Sequence, residues 1–302
     1  MLRTACRRVR NWAPINRALT STCKTILGTF GVQSEWLIRH LPRSGLIASA
    51  LPNGRVLRLW SGDDDGITSQ IFWKGWSGFE PETANLFFRL ACNAQVIVDV
   101  GAYVGYYSLI AAHANPSARA YAFEPLPKIF ERLTRHVELN ELADRVVCTQ
   151  CAVGDINGEA DFFYSQRSDL PSSSSLSRAF MERSADASLR NIPVAVITLD
   201  RFFQARGVDS IDLLKVDTET TEPQVLRGML GMLQRCRPTI ICEVLPVSAV
   251  GEALQEVLEP LGYHFYHLAA DGPVPRREIK GHWPGPLNYL FTTSPPSEVA
   301  RW

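Results

Sequence analysis

From residue 96 onward, short apolar runs alternate with longer stretches in which apolar residues recur at helical spacing. The runs are "QVIVDVG", "ARAYAFEP", "RVVCTQCAVG", "IDLLKVD" and "TIICEV", and most are separated by helical patterns such as "LPKIFERLTRHVELNEL" and "PQVLRGMLGMLQRC". Strand and helix in series predict a parallel sheet with helices on both faces. Between the third and fourth runs, "GEADFFYS" and "IPVAVITLDRFF" predict extra strands, with the Ser-rich "DLPSSSSLSRAF" between them. The polar loop over 165–191 is long, which points to flexibility or function rather than packing. "YHFYHL" and "PLNYLFTT" predict two further strands joined by a Pro/Gly-rich connection without a clear helix, hence an antiparallel pair.

Upstream, Asn53-Gly54 lies between the apolar-rich halves of "LIASALPNGRVLRLW", the pattern of a β-hairpin with a type I′ turn. "SGDDDG" reads as a solvated turn, because Asp63, Asp64 and Asp65 lack the alternating ligands and distal Glu of a calcium loop. "EPETANLFFRLA" predicts a helix with Pro81 and Glu82 near its start. The chain thus divides into an N-terminal extension over 1–75 and a main domain over 76–302. The first thirty-four residues carry Arg3, Arg7, Arg8, Arg10, Arg17 and Lys24 and no acid. Leu2, Cys6, Val9 and Ala13 recur at helical spacing, which predicts a basic amphipathic helix across the main domain. A membrane anchor or transit peptide is the less favoured reading. The segment has no apolar core of a secretory signal, and no run approaches the ~18 residues that cross a bilayer.

Composition narrows the classes. With 302 residues, 46% of them hydrophobic, the chain can bury a substantial core. Its 31 basic and 31 acidic residues cancel, leaving no general field for nucleic acid or an anionic membrane, so a neutral or small substrate is expected. Seven scattered cysteines, an odd number, suit the reduced thiols of a cytoplasm. Cys148 and Cys151 form a C-x-x-C, but strand periodicity puts them on opposite faces and no partner ligands stand at zinc spacing. Buried thiols are expected there, and ordinary histidines at His264 and His267.

In an open α/β sheet, ligands bind beyond the carboxyl ends of the strands. The first such end is "VIVDVGAYVGYYSL", where Asp99 is followed by Gly101 and Gly105. A dinucleotide site needs G-x-G-x-x-G, so that backbone NH groups reach a pyrophosphate. The spacing here is G-x-x-x-G behind an acid, which disfavours phosphate and favours an ammonium or sulfonium group. Glu124 ends the next strand where an acid would take ribose hydroxyls, and Pro125 stops that strand. S-adenosylmethionine fits this set; the ordinary alternative is that Asp99 and Glu124 cap helix N-termini.

With these motifs in hand, the chain resembles FkbM-type methyltransferases. The resemblance runs through "FEPE", "VIVDVGAYVGYYSL", "AFEPLP", Leu139-Asn140, "AVGD", "SSSSL", "ITLDRF", "DLLKVDTETTEPQVLRG" and "RPTIICEV", in that order over about residues 70 to 300. It implies an α/β class I methyltransferase fold: a Rossmann-like, mostly parallel seven-stranded sheet with an antiparallel C-terminal strand and helices on both faces. The N-terminal helix and hairpin extend it. It also implies S-adenosylmethionine as methyl donor and, most often, a hydroxyl oxygen of a sugar or secondary metabolite as acceptor. Glu80, Asp99, Gly101, Ala102, Tyr103, Gly105, Tyr106, Glu124, Pro125 and Ala152 would hold the cofactor. One departure stands out: the family's D-x-E-G-x-E is D-T-E-T-T-E, with Thr220 where Gly is common and positive φ is easy.

In that segment, Thr221 and Gln224 read as a capping box, with Glu222 in the first helical turn and no catalytic role. Asp217 and Glu219 follow the strand, and an extended chain through Thr218 would point both the same way. Lys215 shares their parity and is expected to pair with Asp217, while Glu243 ends the neighbouring strand. An alcohol attacking a sulfonium carbon must lose its proton, so the acceptor needs orientation and a positioned base. Asp217 and Glu219 are the candidates to bind or activate it, supported by Lys215 and Glu243. Carboxylates holding Mg²⁺ are less favoured, since a third ligand is not identified. The rival readings are a nicotinamide-dependent oxidoreductase, disfavoured by the G-x-x-x-G turn, and a catalytically silent binding protein. Trp60, Trp73, Trp76 and Phe79 read as hairpin packing or as a sugar-stacking wall.

Overall fold

In the computed structural model, which describes residues 13–29, 35–62, 65–166, 170–171, 173–184, 188–299 and 301, the chain falls into one unit ending at Phe79 and another beginning at Glu80. In the first unit, α1 (Ala13–Thr29) and α2 (Glu35–His40) precede a hairpin of β1 (Ser44–Ala50) and β2 (Val56–Gly62), and α3 (Gly66–Lys74) follows. Asn16 ties α1 to the hairpin: its Nδ2 donates to Pro42 O at 2.9 Å and its Oδ1 accepts from Ser44 N at 2.8 Å. The predicted hairpin forms, but residues 51–55 make a wider loop than a type I′ turn, with Ala50 paired to Val56. Pro52 has no N–H to continue the ladder, which ends the strand before the Asn53-Gly54 pair. The solvated turn at "SGDDDG" is also corrected. Asp65 is buried and caps α3, accepting from Thr68 N at 2.7 Å and from Thr68 Oγ1 at 2.8 Å. Asp63, Asp64 and the helix expected at Leu2, Cys6 and Val9 lie outside the described residues. Trp73 donates from Nε1 to Leu41 O at 3.2 Å, a packing role.

The second unit opens with α4 (Pro81–Ala91), β3 (Val96–Val100), α5 (Tyr106–Ala114), β4 (Arg119–Phe123), α6 (Pro127–Leu139) and β5 (Val146–Thr149). Next come β6 (Ala152–Val153), β7 (Gly158–Ser165), β8 (Ser174–Ser175), α7 (Arg178–Ser184), β9 (Leu189–Ile197) and α8 (Leu199–Gln204). The remainder is β10 (Leu213–Val216), α9 (Glu222–Arg227), α10 (Leu230–Cys236), β11 (Thr239–Glu243), α11 (Ser248–Leu258), β12 (His264–Ala269), β13 (Gly272–Arg276), β14 (Asn288–Thr292) and α12 (Pro296–Val299). One sheet runs β13-β12-β14-β11-β10-β3-β4-β5, and β6-β9-β7-β8 form a second. In the larger sheet β5, β4, β3, β10 and β11 are parallel; β14 runs antiparallel to β11 and β12 antiparallel to β14.

This sheet has eight strands where seven were expected. "GPVPR", which the sequence offers as a connection, pairs with β12 as an outer strand, a position that tolerates Pro273 and Pro275 because nothing needs their missing N–H groups. The single helix expected over "PQVLRGMLGMLQRC" also splits. Gly228 lies against the chain at Gly154, whose O would stand 1.9 Å from an added Cβ. The Asp200 carboxylate then accepts from Gly231 N and Met232 N, both at 2.8 Å, and starts a second helix.

The chain enters the sheet at β3, steps outward to β4 and β5, returns at β10 and steps the other way to β11. Right-handed crossovers in opposite directions put α5 and α6 on one face and α9 to α11 on the other. The reversal between β3 and β10 is the switch point at which such sheets bind ligands.

Candidate functional site

At the switch point the turns after β3 and β10 are pressed together. Gly101 has φ +77°, and a Cβ there would lie 1.8 Å from Asp217 O. No other residue type fits, on both conformational and steric grounds. The turn uses its own donors: Gly101 N and Ala102 N donate to Phe123 O at 3.1 and 2.9 Å, Tyr103 N to Glu124 Oε2 at 3.1 Å, and Gly105 N to Ala102 O at 2.8 Å. These NH groups are engaged and an acid faces them, so the turn is poorly suited to a pyrophosphate.

Glu124 is buried, with Oε1 accepting from Leu126 N at 2.9 Å and Oε2 from Tyr103 N. Burial outweighs these bonds and pushes its carboxyl up to about 8. Each oxygen keeps a lone pair, so the group can accept two further donors. Asp99 lies deeper, accepts from Ser108 Oγ at 2.6 Å and is raised to about 6, chiefly by burial. Among the other residues expected at a cofactor, Ala102, Pro125 and Tyr106 are buried beside this turn, the Tyr106 ring packing edge-on to Tyr107. Tyr103 OH donates to Leu170 O at 3.1 Å, and Ala152 sits beyond β5, paired with Val196 in the second sheet.

Beside the turn lies a buried cluster of acids around one lysine. Lys215 is fully enclosed, and its Nζ stands 3.0 Å from Asp217 Oδ2, the pairing expected from parity. Burial opposes its charge, but Asp217, Glu80 and Glu243 together outweigh that and raise its affinity for the proton. Glu80, expected at the cofactor, belongs to this group. It accepts from Tyr107 OH at 2.6 Å, and the Asn288 amide donates to it. Lys215 Nζ lies 5.2 Å from the centre of the Tyr107 ring. Glu243 faces Asn288 across the β11–β14 ladder. Burial, then Asp217 and Glu219, push the Glu243 carboxyl well above the ordinary range. The cluster therefore favours ligands that carry positive charge or hydrogen-bond donors.

The loop after β10 differs from expectation in two ways. Extended backbone stops before Glu219, since Glu219 and Thr220 take φ of 54° and 84°. Asp217 and Glu219 therefore diverge: Asp217 turns to Lys215, while Glu219 Oε1 accepts from Ser173 Oγ at 3.0 Å. Burial first, then the Asp217 charge, raise Glu219 to about 8. The capping box is absent: Thr221 makes no side-chain cap, and its Oγ1 donates to Thr218 O at 3.2 Å. Glu222 does the organising, its Oε1 accepting from Thr218 N, Thr218 Oγ1 and Thr220 N at 3.0, 3.0 and 3.2 Å. This bonding holds Thr220 in a conformation that usually selects glycine.

Sequence reasoning missed Tyr107, Asn288, Ser173 and Ser175. The last, fully buried, donates from Oγ to Glu219 O at 2.7 Å and clamps the loop. The second Tyr of "GYYS" and the Ser run were visible signals; Asn288 had none. Cys148 and Cys151 are free thiols, raised by burial to about 11 and about 12. His267 Nε2 lies 2.8 Å from Pro286 O, while His264 is exposed. Among the described residues no group of three or more His, Cys, Asp or Glu is arranged around a metal position, and no helix is long and apolar enough to cross a membrane.

A family model described as the methyltransferase FkbM domain matches residues 99–265. The 31-O-demethyl-FK506 methyltransferase FkbM of Streptomyces tacrolimicus is 30% identical over 197 residues, 58% of this chain and 74% of that protein. Methyltransferase sdnD of Sordaria araneosa is 27% identical over 190 residues, 55% of this chain and 73% of its own length. Among solved structures, the methyltransferase FkbM of Methylobacillus flagellatus KT superimposes with a TM-score of 0.43 at 15% identity, covering 66% of this chain but 43% of that one.

Proposed function

Because the chain belongs to the FkbM methyltransferase family, and so is an S-adenosylmethionine-dependent methyltransferase, we propose that its acceptor is a hydroxyl oxygen oriented by Asp217 and deprotonated by Glu219. The observation that carries this reading is the divergence of the two carboxylates. Asp217 is committed to an ion pair with Lys215, whereas Glu219 makes no ion pair among the described residues and is raised to about 8. A carboxylate held by a lysine and one without such a partner suit different roles, and a base titrating near neutrality is well matched to its task. The name of the Streptomyces relative concerns an oxygen of its own substrate, which agrees with an oxygen acceptor here.

The cofactor is assigned to the edge of β3 and β4. The remaining lone pairs of Glu124 suit two ribose hydroxyls, and Asp99 adds negative charge from beneath the turn. When bound, S-adenosylmethionine supplies a methyl group on a sulfonium whose departure leaves a neutral thioether. Lys215 holds Asp217 in place, and Glu219, with its hydrogen bond from Ser173, receives the hydroxyl proton. Small hydroxylated molecules, sugars or secondary metabolites, are the acceptor class this arrangement suits.

Kinetics on E219Q and D217N test the assignment. E219Q should lower kcat by about 10²- to 10⁴-fold and abolish the rise of rate with pH toward 8, while D217N should lower kcat/KM. Both should keep the wild-type affinity for S-adenosylhomocysteine, measured by calorimetry. Unchanged turnover in both variants would remove these residues from the reaction.

A further inference from the structure

On the far side of the acid–lysine cluster, two enclosed oxygen atoms have no donor among the described residues: Glu243 Oε2 and Asn288 Oδ1. They belong to residues that face each other across the β11–β14 ladder. Asn288 is 1% exposed, and its amide donates to the Glu80 carboxyl, which leaves Oδ1 aimed elsewhere. Buried polar atoms are nearly always paired, so two orphans side by side at a ligand-binding edge ask for a ligand that brings donors. Lys215 does not serve them, because it is drawn to Asp217.

We propose that Glu243 and Asn288 form a subsite for a second hydroxyl of the acceptor, next to the one that is methylated, so that the acceptor is a neutral vicinal diol of the kind a sugar ring presents. The proposal rests on the hydroxyl-acceptor reading above. The sheet register supports it: Val216 pairs with Cys242, so Asp217 and Glu243 occupy equivalent positions on adjacent strands. Adjacent strands lie about 4.8 Å apart, a spacing that lets two side chains reach hydroxyls on neighbouring carbons. Chemistry supports it too. Burial, then the charges of Asp217 and Glu219, raise the affinity of the Glu243 carboxyl for its proton. A neutral carboxyl beside a carboxamide both donates and accepts, which matches a hydroxyl. A carboxylate or phosphate on the acceptor would instead meet Glu80, Asp217 and Glu219.

The test uses the full chain saturated with S-adenosylhomocysteine and measures binding of small probes by saturation-transfer NMR. Trans-1,2-cyclohexanediol should bind about tenfold or more tightly than cyclohexanol, the advantage of one well-placed hydrogen bond to a buried group. Methyl β-D-glucopyranoside should likewise outbind the corresponding glucuronide. N288A and E243A should each reduce the diol advantage to less than about threefold. Equal binding of diol and alcohol, no binding of either, preference for the glucuronide, or variants that keep the full diol advantage would each overturn the proposal. Failure of S-adenosylhomocysteine itself to bind in calorimetry would be a separate result, removing the cofactor assignment on which the subsite depends.

Discussion

Replacing Gly101 with alanine should damage both stability and binding, and Gly262 supplies the control that separates the causes. The two glycines have almost the same backbone angle, φ +77° and +78°, but nothing lies within 4 Å of a Cβ at Gly262. G262A therefore measures conformational strain alone, about 1–2 kcal/mol. At Gly101 the new Cβ would stand 1.8 Å from Asp217 O, and ordinary contact begins near 3.4 Å, so the turns must part by the difference, about 1.6 Å. Forcing an added methyl into packed structure costs roughly a further 1–3 kcal/mol. G101A should thus lose about 2–5 kcal/mol in urea unfolding, clearly more than G262A. Because the displaced atom belongs to Asp217, methyl transfer should fall about 10²-fold, the penalty typical of a 1 Å misplacement, while G262A keeps wild-type turnover. Equal unfolding losses for the two variants would refute the close approach of the β3 and β10 turns.

Two further outcomes follow from the buried acids. Glu124 is raised to about 8 in the free protein, so it is largely protonated at pH 7. Accepting ribose hydroxyls favours its ionised form, and S-adenosylhomocysteine binding at pH 7 should release a proton, seen as a heat that varies with the ionisation enthalpy of the buffer; E124Q should abolish that variation and weaken binding. Glu124, Glu219 and Glu222 are all raised, to about 8, about 8 and about 7, by burial above all. Their stabilising share is complete below the unfolded value of 4.5 and is lost as pH rises through 7 and 8. The cofactor-free protein should unfold at a lower temperature at pH 8.5 than at pH 5, and a flat profile would show that these carboxyls are not buried as described.

The strands that carry the site were legible because each is a short apolar run and β10 is enclosed along its length, Lys215 included. Their carboxyl ends were legible for the same reason, which brought Asp99, Glu124, Asp217 and Glu243 into view together. What failed were features decided by a distant partner or by a competing neighbour. Asp200 splits the helix after Gly228 through bonds to Gly231 and Met232, and no local pattern announces this. Thr221 looked like a cap, but a carboxylate one residue later reaches three donors and takes over the loop. Glu80 lies far upstream of the motif it joins, and only folding brings it to Tyr107 and Asn288.

The order of strands also bears on how the protein is made. Val96 N bonds Asp212 Oδ2 at 2.9 Å across 116 positions of sequence, at the seam where β10 docks on β3. At translation rates of about 5–20 residues per second, that separation is roughly 6–23 s of synthesis. Through that interval β3, with Ile97, Val98 and Val100 made for a dry interior, offers one unpaired edge to whatever else is nearby. Open apolar edges are templates for aggregation. A ribosome paused before β10 would expose this chain at its most vulnerable, and chaperone supply during those seconds should govern its yield more than the stability of the finished fold.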